Sequence, residues 1–218
     1  MHDARSSLSN GVPVSAIFIA LGTILSLIQP FSLPQGGGIT LLSMLPVIIL
    51  SYRYGIGWGL VSSLTYAVLQ MLTGFKTVAG FFVGEDKMAV WMALASCLLD
   101  YIVAYGVLCL GGLFRKNNKP SVALCLGSIV AVGARYIVHI ISGAIIFGSW
   151  AEWFFTDAMG GEFGAQVLSQ YSGVGLSIFY SVIYNGLYMI PEIIITAIGA
   201  YFIGKIPAIT GSKSLSNS

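Results

Sequence analysis

The stretch Arg135-Tyr136-Ile137-Val138-His139-Ile140-Ile141-Ser142-Gly143 lies in the middle of an apolar run from Val122 to Phe147. A run of that length matches the roughly 20 residues a helix needs to cross a bilayer. Arg135, Tyr136, His139, Ser142 and Gly143 recur at spacings of three and four, so they share one helix face. A charge in hydrocarbon costs about 3 kcal/mol even on lenient insertion scales. Asp100, Arg135, His139 and Glu192 all occupy such stretches, in a chain of which only 8% is charged. Ionisable residues in this setting face a bundle interior or a water-filled cavity, which points to binding of a small polar solute within the membrane.

Composition agrees. Hydrophobic residues make up 56% of the 218, 27 are glycine, and mean hydropathy is +0.88, as expected of an all-α polytopic membrane protein. A net charge of +2, with no basic cluster interleaved with aromatics, sets nucleic-acid binding aside. Cys97, Cys109 and Cys125 are odd in number and lack metal-ligand spacing, so they read as small buried hydrophobes. No metal or cofactor is expected. No cleavage site follows the first apolar run before Pro30, which reads as a retained helix, not a signal peptide.

Apolar runs predict six transmembrane helices near Val14 to Ile28, Ile39 to Tyr52, Gly57 to Thr73, Met88 to Phe114, Val122 to Phe147 and Val174 to Ile203. The second is short, carries Pro46 as a kink, and is entered through the turn Pro34-Gln35-Gly36-Gly37-Gly38. The layout is a polar N-terminus at 1–13, a membrane domain at 14–207 and a tail at 208–218. If the N-terminus is cytoplasmic, Arg5, Arg53, Arg115, Lys116, Lys119, Lys205 and Lys213 fall inside, and only Lys76 and Lys87 outside. Both termini are therefore expected in the cytoplasm. At 1.5 Å per residue, Asp100 and His139 come out about 22 to 25 Å from the inner face, and Asn185, counted back from Lys205, lies at a similar distance, about 30 Å. That level lies in the outer half of the bilayer, beneath the loop that holds Trp150 and Trp153.

Each candidate has two readings. Asp100, with Ser96 one turn before it and Tyr101 beside it, needs a cation, supplied either by Arg135 as a salt bridge or by a cationic ligand. Arg135 and His139 either brace the bundle or face a ligand, and Gly143 opens backbone space for one to approach. Tyr180, Tyr184 and Tyr188 are packing or site; Asn185 offers a donor and an acceptor suited to the edge of a heterocycle. Glu192, after Pro191, reads as structural. On the first helix Ala16 and Ala20, with Gly22 and Ser26, form small-xxx-small pairs that let another helix approach. The chain has no phosphate-binding loop, the nearest match being Gly211-Ser212-Lys213-Ser214, and no nucleophile paired with a base. Uphill transport would need an ion gradient or a separate ATPase.

These segments carry a resemblance. Gly36-Gly37-Gly38-Ile39-Thr40 through Met44-Leu45-Pro46, Leu99-Asp100-Tyr101, Arg135 to His139 with Ser142-Gly143, and Tyr184-Asn185-Gly186 with Met189-Ile190-Pro191-Glu192 resemble the thiamine-specific substrate-binding subunits, or S components, of energy-coupling factor importers. The similarity runs from about Val14 to Pro207. It implies six helices in a prokaryotic plasma membrane, capture of thiamine from outside, and action alongside a membrane coupling subunit and two cytosolic ATPases that hydrolyse the ATP. It also implies a vitamin site at Asp100, Tyr101, His139, Trp150, Tyr180 and Asn185, with Tyr66 at a third-helix position often aromatic in the family, and docking of the coupling subunit at Ala16 and Ala20. Asp100 stands where the family's familiar acid is Glu, Arg135 where Lys is usual, and Phe75 to Lys87 is longer than usual. Thiamine's thiazolium cation and aminopyrimidine call for the carboxylate, rings and amide found here. The competing readings are a related vitamin or pyrimidine precursor, and a proton-coupled carrier relaying through Asp100, His139 and Glu192.

Overall fold

The computed structural model describes residues 2–33, 36–84 and 87–210, with side chains from Gly11 onward. The protein is mostly helical. In chain order the elements are α1 (His2–Ser26), a two-stranded hairpin of β1 (Phe31–Ser32) and β2 (Gly38–Ile39), α2 (Leu45–Tyr54), α3 (Ile56–Thr73) and α4 (Phe75–Gly80). The composite helix α5 (Val90–Gly112) follows. Next come α6 (Pro120–Ile146), the short turns Gly148–Trp150, Ala151–Trp153 and Phe154–Ala158, then α7 (Gly161–Gln170), α8 (Gly173–Ile203) and α9 (Pro207–Thr210). Four helices, α3, α5, α6 and α8, are long and apolar enough to cross a membrane; the apolar part of α1, Gly11–Ser26, is shorter.

Outward stripes explain why these helices suit lipid. On α6, Ile137, Ile141 and Ile145 are exposed at spacings of four, and on α8 Ile190, Ile194 and Ile198 repeat the pattern. The opposite face of α6 carries His139, Ser142 and Gly143 into contact with α8, the most extensive helix pairing in the bundle. Polar residues thus turn inward and branched apolar ones outward, the reverse of a soluble helix.

Several boundaries differ from the sequence expectations. The first helix begins at His2, well ahead of Val14, and the second begins at Leu45 instead of Ile39. Gly38 and Ile39 instead pair antiparallel with Ser32 and Phe31, while Pro34 and Gln35 of the expected turn lie outside the described residues. Pro46 does not kink α2. It sits in the first turn, where its missing N–H has no helical partner to lose. Every residue from Leu45 to Tyr52 is buried, so α2 is apolar on all sides and occupies the bundle centre against α1, α3, α5 and α6. The fourth span is not one regular helix: a π-helical stretch, Cys97–Val103, interrupts it, and it ends in a 3-10 segment, Val107–Gly112. Of the expected tail, Pro207–Thr210 is helical; Lys213 and the Gly211 to Ser214 stretch lie outside the described residues.

The small residues of α1 do not form one stripe. Ser15, Ile19 and Ser26 are buried, and a side chain on Gly22 would meet the Ser43 carbonyl oxygen at 2.9 Å. Ala16 and Ala20 sit on the exposed face, beside exposed Ile17, Leu21 and Ile24.

Candidate ligand cavity

A cavity of about 500 Å³ opens among the hairpin loop, α5, α6 and α8, a size that suits a small organic ligand. The π-helical stretch of α5 supplies Asp100 and Tyr101 to its wall. Successive residues of a regular α-helix point about 100° apart; π turns are wider and recur at functional sites. The carboxylate is held on both oxygens: Ser96 Oγ donates to Oδ2 at 2.8 Å and His139 Nδ1 lies 3.1 Å from Oδ1.

His139 in turn links two charges. Arg135 Nε donates to His139 Nε2 at 3.2 Å, which makes Nε2 the acceptor and leaves Nδ1–H to donate to Asp100. The result is a continuous chain, Ser96 to Asp100 to His139 to Arg135, across α5 and α6. Asp100 is therefore hydrogen-bonded to a neutral His139, and among the described residues the direct Asp100–Arg135 bridge considered from sequence is not formed. Arg135 lies over the Tyr105 ring at 4.1 Å and places Nη1 2.8 Å from Met44 Sδ. Cation–π contact of this kind partly replaces the lost hydration of a buried guanidinium.

On α8, Asn185 Nδ2 donates to the His139 carbonyl at 3.2 Å and to Ser181 O at 2.9 Å, and its Oδ1 accepts from Tyr188 Oη at 2.7 Å. Asp100, His139 and Asn185 thus meet across three helices. The room expected at Gly143 is not open to a ligand. A Cβ there would fall 2.2 Å from Ser181 Oγ and 3.0 Å from Asn185 Nδ2, so Gly143 lets α8 close on α6 and puts backbone on the cavity wall. Tyr180 also lines the cavity and packs edge-on against Phe154 at 5.3 Å. Trp150 lines it and Trp153 does not; Trp153 backs Trp150 edge-on at 5.8 Å and is 37% exposed.

Tyr66 is the candidate that the structure keeps away from the others. It is fully buried in the core, with its hydroxyl bonded to the carbonyls of Ser43 at 3.1 Å and Gly22 at 3.3 Å, and it is not among the residues lining the cavity. It ties α1 and the start of α2 to α3. Conversely, the cavity wall includes Gln29, Gln70 and Phe147, which the sequence reading passed over, and Tyr188, which it left open between packing and site. Phe147 had a signal: it continues the face of His139 and Gly143 at a spacing of four. Gly37 contributes in another way. Its φ of +86° suits glycine, and a Cβ would lie 2.5 Å from the Tyr188 ring, so the loop lies flat on α8. Tyr184 Oη donates to the Gly36 carbonyl at 3.0 Å and fixes the same loop.

Glu192, 2% exposed, forms the remaining polar wall. Its Oε1 accepts from the Thr40 amide at 2.5 Å and the Thr40 hydroxyl at 2.6 Å. It thereby anchors the stretch between β2 and α2, the structural role expected of it. No hydrogen bond between described residues carries the His139 chain on to Glu192. No group of three or more His, Cys, Asp or Glu among the described residues could hold a metal.

The Thiamine transporter protein family matches residues 12–153. The chain belongs to that family. Consistently, it is 30% identical over 195 residues to the thiamine transporter ThiT of Bacillus subtilis, covering 84% of each chain. It also shares its fold with a solved structure of ThiT from Listeria monocytogenes, with a TM-score of 0.67, 19% identity, and coverage of 94% of this chain and 98% of that one. Family members are transporters and not enzymes, and the apolar helices make this one a multi-pass membrane protein.

Proposed function

We propose that this chain is the thiamine-binding S component of an energy-coupling factor importer. The observation that carries the reading is the convergence of Asp100, His139 and Asn185, from three helices, on a cavity walled by Trp150, Phe147 and Tyr180. The carboxylate suits the thiazolium charge, the rings suit stacking on two flat heterocycles, and the amide suits an aminopyrimidine edge. Arg135 and Tyr101 complete the polar wall, with Gly143 as its backbone part. Membership of the thiamine transporter family supports the same ligand.

In this reading α1 and α2 join the four long helices as six membrane segments, the bundle lies in a prokaryotic plasma membrane, and both termini are cytoplasmic. Arg53 at the end of α2 and Arg115 and Lys116 beyond α5 gather at the bundle end opposite the cavity, which supports a cytoplasmic assignment for that end. The cavity then opens outward. Energy comes from partners: a membrane coupling subunit, seated on the exposed Ala16 and Ala20 face, and two cytosolic ATPases.

Titration of the purified protein with thiamine, followed by Trp150 and Trp153 fluorescence, tests the assignment. Quenching that saturates at or below micromolar thiamine is expected, and no quench at that concentration overturns it. Competition by the pyrimidine precursor alone measures the thiazolium's share, and equal affinity for both would make the precursor the substrate. Uptake into liposomes by the isolated chain under a pH gradient would replace the importer reading with that of a carrier.

A further inference from the structure

At the end of the bundle remote from the ligand cavity, a second cavity of about 360 Å³ lies between the end of α2, the α5–α6 connection and α9. Arg53, Arg115 and Lys116 line it, with Tyr52 and the amides of Asn117 and Asn118, and no carboxylate among the described residues does. Three like charges around one opening repel one another unless an anion shares the space.

A positive-inside bias requires only that cations be numerous on one side, not that they converge. Here they are brought together by specific contacts. Arg53 Nη1 donates to the Ile209 carbonyl at 3.0 Å, which ties α9 under the cleft, and Arg115 Nη2 lies 3.4 Å from the Arg53 carbonyl. Arg53 Nη1 also reaches the Ala208 carbonyl at 3.4 Å, so each guanidinium uses one terminal nitrogen on neutral carbonyls and keeps its other donors and its full charge for something else. A guanidinium fork beside an ammonium matches the oxygens of a phosphate.

The surroundings favour a lipid over a free ion. Ile56 follows Arg53 by three residues, Leu113 precedes Arg115 by two, and Ile206 precedes Thr210 by four; all three are exposed, at 40%, 48% and 44%. A basic opening flanked by exposed apolar side chains at the edge of a membrane bundle fits a molecule that is anionic at one end and apolar at the other.

We propose that this cleft binds the phosphate headgroup of an anionic membrane phospholipid. The inference is independent of the ligand held in the other cavity.

The test uses the full chain in detergent, titrated with dioctanoyl phosphatidylglycerol, dioctanoyl phosphatidylcholine and inorganic phosphate, with bound lipid counted by native mass spectrometry. Saturable binding of the phosphatidylglycerol is expected, at least tenfold tighter than that of the phosphatidylcholine. The double variant Arg115→Gln/Lys116→Gln alters exposed side chains and keeps the Arg53 tether. It should lose at least tenfold in phosphatidylglycerol affinity without a change in thermal midpoint in the absence of lipid. Equal binding of the two lipids overturns the proposal, as does a double variant that binds phosphatidylglycerol like the parent. Inorganic phosphate binding as tightly as phosphatidylglycerol would make this a phosphate site and remove the lipid. Should the double variant be unstable, Arg115→Lys, which keeps the charge but not the fork, is expected to retain part of the phosphatidylglycerol affinity and a parental midpoint; full loss in a stable Arg115→Lys protein counts against a charge-based site.

Discussion

The ligand cavity and the outer face of α1 are built from opposite materials. The cavity gathers almost every ionisable side chain buried within the bundle, each tied to a neighbour, as in the run from Ser96 through Asp100 and His139 to Arg135. The α1 face offers Ala16 and Ala20 among exposed Ile17 and Leu21, with nothing to read but shape. Polar networks specify which small molecule fits, whereas small apolar surfaces specify how closely a backbone approaches. In the proposed reading, recognition and coupling are therefore separable by mutation.

The sharpest separation is expected from Ala16→Trp or Ala20→Trp. An indole on the exposed face would hold a partner helix away by several ångströms, enough to lose the dispersion contacts along the seam. Uptake in cells and co-purification of the ATPases should be abolished while thiamine affinity stays within twofold of the parent. Uptake at parental levels would mean that α1 is not the docking face.

Asp100→Asn attacks the other side of the comparison. Charge-assisted hydrogen bonds contribute about 1.5 to 3 kcal/mol, so removing the charge should weaken thiamine binding about ten- to a hundredfold in a calorimetric titration. Because His139 stands between Asp100 and Arg135, the amide strands no directly paired cation, and the thermal midpoint without ligand should move little. A large drop in midpoint that accounts for the whole affinity loss would return Asp100 to a purely structural role.

Trp150→Ala is expected to cost about tenfold in affinity, within the range of about 0.5 to 2 kcal/mol for an aromatic face against a cation. Trp153→Ala should cost less, since that ring backs Trp150 without lining the cavity. A reversal of the two would show that the outer loop closes differently around the ligand. The smallest effect is assigned to Tyr184→Phe. It deletes one neutral hydrogen bond to Gly36, about 1 kcal/mol or roughly fivefold, seen mainly as faster thiamine release if the bond serves to hold the loop.

What the sequence revealed depended on periodicity and cost. Asp100, His139 and Asn185 were legible because a polar group in hydrocarbon must face inward and because helical rise sets its depth. The Arg135 to Gly143 face was legible from spacings of three and four. Tyr66 was misplaced for a physical reason: the same residue type serves as packing or as site, and only its hydroxyl's bonds to Gly22 and Ser43 decide between them. Pro46 reads as a kink because the stretch ahead of α2 is fixed by distant contacts, such as Thr40 on Glu192, which leave no local periodicity. The clustering of Arg53 with Arg115 was invisible for the same reason, since 62 residues separate the two partners of that contact.

The π-helical stretch at Cys97–Val103 also bears on how the family can vary. Each such turn holds an extra residue relative to an α-helical one, so the segment stores slack in the covalent chain. Deleting a single residue there would let the helix revert to ordinary winding without shortening its reach through the bilayer by more than about 1.5 Å. Because the extra residue is absorbed within the π turns, the helix on either side would keep its facing, and the change would fall on the residues inside the stretch. Asp100 and Tyr101 would then no longer face the same partners. One-residue gaps between relatives at this position should accordingly coincide with changed ligand preference, while gaps of the same size in the loops leave it alone.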